Sequence, residues 1–596
     1  MIDRVGRYER ARIVVRPVVA CVLVLLSTLR ARRARSWERF IVYRWAAGGP
    51  SFLHGRSNAA DRLVMRLVER ADRANPSVAV GIRVRALYQY AYEFLTSPKV
   101  TEPPFSHDAS LVWFLFQYPI LPSGPSSERI GEYYLGLFDH LGTVWEEDLG
   151  TDLRNSLAVS ISTSFAFLPL LFTDHNTNVA ASAAARWTEH YLRSSGAELD
   201  LPLAEVPRRT VEGAARIRVG VVVRNASPRT ETYIATSFAA LPKDRYEVIL
   251  ISFAALGTDT FSECVRSRFD RTEIVDTPFL AQRVARLREL RLDVVIHANT
   301  ISAHSSDLLH TMAHRVAPLQ ILPAAIAPTT TGLRNMDVVL TSRATEPASP
   351  SDQYSERVTV LANTFQCFDF AGNEVWRLSG TALDEASTTW MSAAQRVFVV
   401  GGSLYKLTPE FRSAVVRILQ GVPGSRLILY PFNPNWGLRE SNRWRTELED
   451  SFADRGLGPE RIRVMPTLTP SQIVTLLGTS HVFLDTFPYS GAASLIDPLA
   501  LGCPPVVLAG TAQRGLQGAS ILSEVGGQSC IATCDDEYVS IATTLGSDEA
   551  ARQEMATLFR ERLGSSAVLD LEQYGRDLDR AIRPLICQST RRTDLP

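Results

Sequence analysis

The chain has 596 residues, more than one hydrophobic core usually supports, so a single-core protein is excluded and three or four domains are expected. Hydrophobic residues make up 45% and charged ones 21%, which excludes a disordered chain, and 63 basic side chains balance 63 acidic ones, which argues against a generally basic nucleic-acid binder. Only three of the basic residues are lysines, Lys99, Lys243 and Lys406, so each marks a position where a compact ammonium was kept in an arginine-rich chain.

The first segment to interpret is PVVACVLVLLSTL, Pro17 to Leu29, with Arg7, Arg10, Arg12 and Arg16 before it and Arg30, Arg32, Arg33 and Arg35 after it. It falls short of the ~20 residues a helix needs to span a bilayer, and RARRAR is a poor match to a small-residue cleavage site. Three readings stay open: a buried helix of the first domain, a peripheral membrane contact through residues 13–29, and a true span or signal. Up to about residue 205 the chain reads as helical, because AADRLVMRLVERADRA (59–74), VRALYQYAYEFL (84–95) and AASAAARWTEHYLR (180–193) space apolar residues three and four apart. No repeat near 34 residues recurs, and a charged stretch around 195–215 reads as a linker.

Beyond it, short apolar runs alternate with helical segments: RIRVGVVV (216–223), YEVILISF (246–253), LDVVIHAN (292–299), LQILPAAI (319–326) and DVVLTS (337–342). After a looser stretch near Leu378 to Thr388 the pattern restarts with RVFVVGGS (396–403), SRLILYPF (425–432), RIRVMP (461–466), HVFLDTF (481–487) and PPVVLAG (504–510). Nearly continuous Val/Ile content suits parallel strands buried on both faces, so two consecutive doubly wound α/β domains are predicted after an all-helical one. The predicted domains are 1–205, 206–385 and 386–596, with a ligand crevice facing the strand C-termini.

Two segments carry candidate chemistry. In residues 481–510 a strand ends near Thr486, a turn with Pro488 and Gly491 follows, and Ser490, Gly491, Ala492, Ala493 and Ser494 open a helix. Free amides at a helix N-terminus bind anions, and small side chains let a diphosphate approach them. Asp497, two turns on and near the face of Ser490, suits a ribose acceptor; the competing reading is an ordinary capped helix with Asp497 in solvent. In GGSLYKLTPEF (401–411), Lys406 follows a strand and precedes the N-cap Thr408 and Pro409, where a leaving diphosphate would need neutralising; here too a plain surface lysine competes. The seven cysteines are scattered, which suits a reducing, cytoplasmic setting, and Cys530 and Cys534 lack a second pair for zinc. His297, His304, His310 and His314 lack a metal-site spacing and read as structural or solvent-facing, and Asp577 and Asp579 read as the solvated face of a C-terminal helix.

FLDTFPYSGAASLIDPLALGCPPVV resembles the signature of glycosyltransferase family 41, the group of O-linked N-acetylglucosamine transferases, plant O-fucosyltransferase relatives and bacterial adhesin N-glycosyltransferases. RIRVGVVVRNASPRTETYIATSF (216–238), APLQILPAAIAPTTTGLRNMDVVLTS (317–342), QYSERVTVLANTF (353–365), SLYKLTPEF (403–411) and RIRVMPTLTPSQIVTLLGTSHVFLDT (461–486) fall in the family's order, so the resemblance covers about 216–585. It implies a GT-B fold, two Rossmann-like domains preceded here by the all-α domain, with a UDP-sugar held mainly by the second. It assigns Lys406 to the diphosphate, Ser490, Gly491, Ala492, Ala493 and Ser494 as backbone donors to it, Asp497 to the ribose, and Thr330 and Thr331 to the neighbourhood of the sugar.

The same resemblance implies an inverting transfer of a hexose or N-acetylhexosamine to Ser/Thr or Asn of a protein or peptide acceptor, with no cofactor, no catalytic metal and no nucleic-acid partner. The family commonly has histidines in its catalytic loop, whereas NASPRTETY offers Asn225, Arg229, Thr230, Glu231 and Tyr233. Glu231 is therefore the candidate proton acceptor and Arg229 the candidate phosphate or acceptor ligand, against a simple Arg229–Glu231 pair within the loop. Ile473 and Leu476 replace polar residues that lie beside the nucleobase in the O-linked enzymes. Two alternatives are a degenerate nucleotide-sugar-binding or scaffolding member, and a lipid or polysaccharide glycosyltransferase.

Overall fold

The computed structural model describes residues 109–116, 126–200, 216–430 and 449–592, apart from short breaks at 166, 302–305, 327–328, 365, 404–405 and 451, and a few positions between 91 and 101. The apolar run at 17–29, His304 and the linker at 201–215 lie outside the described residues. Among those described, no helix is long and apolar enough to cross a membrane.

The first region is helical: α1 (Ala109–Leu115), α2 (Ser127–Glu146), α3 (Thr151–Ser164), α4 (Leu168–Leu171) and α5 (Asn178–Ser194). Ser126 caps α2 by accepting from the Arg129 amide at 3.2 Å. The helix buries Tyr134, Leu137, Phe138, Leu141 and Val144, which recur every three or four residues. Alanines line the opposing face of α5, and Trp187 fills the seam, its indole N–H donating to Leu141 O at 3.0 Å. This core runs on into Leu309, Met312, Leu322 and Met336 of the next region, so the helical part shares its core with the first α/β domain.

That domain holds β1 (Ile217–Val223), α6 (Thr230–Ser237), β2 (Tyr246–Ser252), α7 (Thr260–Arg268), β3 (Arg271–Ile274), α8 (Leu280–Glu289), β4 (Val294–His297), α9 (Ser306–Met312), β5 (Leu319–Pro323), β6 (Val338–Ser342) and β7 (Arg357–Leu361). The second holds α10 (Glu385–Ser392), β8 (Arg396–Gly401), α11 (Pro409–Gly421), β9 (Ser425–Tyr430), β10 (Ile462–Val464), α12 (Pro470–Thr479), β11 (Val482–Leu484), α13 (Ile496–Leu501), β12 (Pro505–Leu508), α14 (Gln513–Glu524), β13 (Ile531–Ala532), α15 (Asp535–Ser547), α16 (Glu549–Leu563) and α17 (Leu571–Arg592).

Both sheets are parallel, in the orders β3-β2-β1-β4-β5-β6-β7 and β10-β9-β8-β11-β12-β13. Strand order reverses between β1 and β4 in one and between β8 and β11 in the other, and crevices for ligands open at such reversals. Candidate residues from the sequence follow three of these four strands: Arg229 and Glu231 after β1, Lys406 after β8, and the 485–497 segment after β11.

The last helix returns to the first domain. Asp579 of α17 pairs with Arg245 at 2.5 Å and accepts from the Tyr246 hydroxyl at 2.8 Å, and Asn363 donates to Asp577 at 2.6 Å. Gly575 lies against Ala240 O, where a Cβ would collide with backbone. The expectation that Asp577 and Asp579 form a solvated face is therefore corrected: Asp577 is buried and both carboxylates clasp the two α/β domains together.

Candidate active site

The site is built on the loop that leaves β11. Asp485 is buried there and accepts from the Gly491 amide at 2.8 and 2.9 Å and from the Ser490 hydroxyl at 2.6 Å, while its own carbonyl receives the Tyr538 hydroxyl at 2.8 Å. Burial pushes its carboxyl up, and the nearby Lys406 charge opposes that. Donors aimed at both oxygens favour the ionised form against that burial. The loop contains a cis Phe487–Pro488 bond. Gly518 of α14 is where a side chain would fill the space of the Ser490 hydroxyl, so a bare glycine lets the helix close on the loop.

Lys406, half-buried just after β8, reaches this loop from the other side of the strand reversal. Its Nζ donates to Ser490 O at 2.8 Å and stands 4.0 Å from the centre of the Tyr489 ring. Burial lowers its pKa to about 8, against an upward pull from Asp485. Gln517 donates to the same Ser490 carbonyl at 2.7 Å.

Two of the five expected backbone donors are corrected. The Ser490 amide donates to Arg514 O at 3.0 Å and the Gly491 amide to Asp485, so neither is available to a ligand. The amides of Ala492, Ala493 and Ser494 have no partner among the described residues, and they open a single 3-10 turn (Ala493–Leu495) that leads into α13. Because helical backbone begins only there, Asp497 lies about one turn in and not two, and does not share a helical face with Ser490. No described residue donates a hydrogen bond to Asp497, and burial raises its carboxyl to about 8.

Across the cleft Arg229 caps α6 in extended backbone, donating to Asn225 Oδ1 at 2.5 Å and standing 3.6 Å from Glu231, so the pair within the loop does form. Thr300, just past β4, donates to Glu231 at 2.7 Å. The two edges face each other: burial first and the Glu231 charge second push up the Tyr489 phenol, and Asp497 adds to the burial that raises Tyr233.

Thr330 and Thr331 lie on the first α/β domain. Both are buried, and their hydroxyls serve Glu356: Thr330 at 2.5 Å, with Ser355 Oγ 2.7 Å away, and Thr331 in a short contact backed by its amide at 2.9 Å. These bonds hold the turn to the segment that leads into β7. Leu476 is likewise fully buried in α12, whereas Ile473 keeps partial exposure. His310 bonds Ser162 at 2.8 Å, His314 bonds the His310 carbonyl at 2.7 Å and His297 is buried, which makes these three structural.

Residues 392–578, which hold Lys406, Asp485, the 490–494 turn and Asp497, match glycosyl transferase family 41. Over 312 residues, 51% of its length, the chain is 30% identical to a rice protein (Oryza sativa subsp. japonica) named as a probable UDP-N-acetylglucosamine–peptide N-acetylglucosaminyltransferase, SPINDLY. The chain resembles that family over its second α/β domain. It spans 31% of that plant relative, and 15% of a Caenorhabditis elegans UDP-N-acetylglucosamine–peptide N-acetylglucosaminyltransferase to which it is 28% identical over 183 residues. Among solved structures, a variant of the Thermobaculum terrenum O-GlcNAc transferase superposes with a TM-score of 0.56, covering 94% of this chain and 99% of that one at 20% identity. That likeness gives the fold, GT-B with a helical region ahead of it. The family match covers the second α/β domain, so Arg229, Glu231, Thr330 and Thr331 lie outside it.

The sequence reading missed Asp485, although it lies inside the quoted signature. An aspartate ending a buried strand, five and six residues before a Ser-Gly pair, was the available signal.

Proposed function

We propose that this chain is a member of glycosyl transferase family 41, an inverting, UDP-sugar-dependent glycosyltransferase that moves a hexose or N-acetylhexosamine onto Ser/Thr or Asn side chains of a protein acceptor. The observation that carries the reading is the convergence of one ammonium, three unpartnered amides and one unpartnered carboxyl at the β8/β11 reversal. Lys406 and the amides of Ala492, Ala493 and Ser494 supply positive potential where a diphosphate gains charge as it leaves, without calling on a metal. Asp497 offers acceptor oxygens to a ribose diol. The acceptor would enter from the β1/β4 side and attack the anomeric carbon in line as UDP departs, its proton passing to Glu231.

The relatives' names, which specify UDP-N-acetylglucosamine and a peptide, support that donor and acceptor class. The helical first region resembles the bacterial N-glycosyltransferases and FPYSGAAS the O-linked branch, so both acceptor chemistries stay in the proposal. A cytoplasmic setting is part of the same reading. One observation favours a second: Glu231 is already engaged by Thr300 and faces Arg229, in a loop without histidine, as a nucleotide-sugar-binding member without turnover would allow. Intact-mass analysis of acceptor proteins incubated with the chain and a panel of UDP-sugars tests the two. A hexose or N-acetylhexosamine shift mapped to Ser/Thr or Asn is expected; UDP binding with no shift under any donor would favour the binding-only reading.

A further inference from the structure

Arg514, at the start of α14, is 2% exposed, and a buried guanidinium is costly unless its donors are satisfied. Here they are satisfied by the helical region. Nε donates to Thr173 O at 2.9 Å, and Nη2 donates to the same carbonyl and to His175 O at 2.8 Å. The main chain of the same residue receives the Ser490 amide at 3.0 Å. Arg514 thus ties the 173–175 loop, more than 300 residues away in sequence, directly to the residue whose carbonyl accepts from Lys406. Next to it, Phe172 lies 6.1 Å from the Tyr489 ring, over which Lys406 sits.

A second tie is made four residues after Lys406. Glu410, in the first turn of α11 four residues after the lysine, accepts from the Ser127 amide at 3.0 Å, the first residue of α2. The carboxylate in the first turn of α11 therefore also serves the N-terminus of α2, through one oxygen.

We infer that the helical region is a working part of the donor site, with Arg514 and Glu410 as positioning residues that latch it against Lys406 and Tyr489. This rests on the donor-site reading above. Loss of the Arg514 latch would free the 173–175 loop, unseat Tyr489 and let the Ser490 carbonyl drift from Lys406, so donor affinity would fall although no group that touches the donor had changed.

The test is a calorimetric titration of UDP into the full chain and into Arg514→Met, Arg514→Lys, Glu410→Gln and Glu189→Gln, each with its thermal unfolding midpoint. Glu189 holds Arg334 of the first α/β domain at 2.8 Å on a separate face of the helical region, so its variant loosens that region without touching the latch. Arg514→Met is expected to weaken UDP at least tenfold, Arg514→Lys to recover part of that, Glu410→Gln to lose a few-fold, and Glu189→Gln to lower the midpoint with affinity held within twofold. Where transfer is measurable, KM for the UDP-sugar should rise more than kcat falls. UDP binding by the unaltered chain that Arg514→Met retains, or an equal loss in Glu189→Gln, would overturn this inference alone. No UDP binding by the unaltered chain would overturn the donor-site reading and the inference with it.

Discussion

Replacing Asp485 with Asn probes the loop at its organising point. The carboxylate receives the Gly491 amide on both oxygens and the Ser490 hydroxyl on one. An amide keeps one acceptor oxygen and turns an NH2 toward one of those donors. The loss is one charge-assisted hydrogen bond, worth ~1.5–3 kcal/mol, together with one buried donor left unpaired, ~1–3 kcal/mol. Relief of a buried charge offsets part of this, because burial already pushes the carboxyl up. A net destabilisation of ~2–4 kcal/mol is expected, and at ~2–4 °C per kcal/mol for a domain of this size the midpoint should fall by several degrees or more. Lys406 also loses the charge that props up its pKa, which should drop further below about 8. UDP affinity should therefore suffer more at pH 8 than at pH 6.5. Scanning calorimetry for the midpoint and isothermal titration at the two pH values read both effects. A midpoint within 2 °C of the unaltered chain, with the same UDP affinity at both pH values, would refute the reasoning.

Three further outcomes are expected. Lys406 is charged below about 8, and a bound diphosphate would raise that value, so UDP affinity should be level near pH 7, fall by up to ~tenfold per unit above pH 8, and be accompanied there by proton uptake. Because Asp497 ionises over the same range, titrations in an Asp497→Asn background isolate the lysine, and adding Lys406→Ala to it should flatten the profile. Gly518→Ala gains up to ~1 kcal/mol of helix propensity, but its Cβ would collide with Ser490 Oγ and come within 3.0 Å of Asp485 Oδ2, so overpacking at ~1–3 kcal/mol wins and both midpoint and UDP affinity should drop in calorimetry. Asp579→Ala removes the partners of Arg245 and Tyr246, and hydrogen exchange over residues 571–592 should speed up about fivefold or more, the mark of a loss near 1 kcal/mol.

What the sequence made legible follows from burial. Strands covered on both faces, such as IRVGVVV of β1 and RVFVVG of β8, are nearly continuous apolar runs and stand out. The edge strands β3 and β7, RTEI and RVTVL, are half exposed, carry polar residues, and give no such run. The placement of Lys406 and Asp497 beside the β8/β11 reversal was readable, because a lone lysine and a small-residue turn leave local marks. The partner of Thr330 and Thr331 was not: Glu356 is 26 and 25 residues away, and nothing in their neighbourhood of the chain announces it. The same holds for Arg514 and Asp579, whose partners lie more than 300 residues off. Asp577 and Asp579 look like a solvated pair in a polar helix until the helix is seen to cross between domains.

The central claim is that the β8/β11 reversal holds the diphosphate of a UDP-sugar through Lys406. Titrating UDP into the unaltered chain and into Lys406→Ala at pH 7 tests it most directly. Saturable binding is expected of the unaltered chain, weakened at least tenfold in Lys406→Ala with the thermal midpoint little changed; equal affinity in the two would rule out a diphosphate held by Lys406.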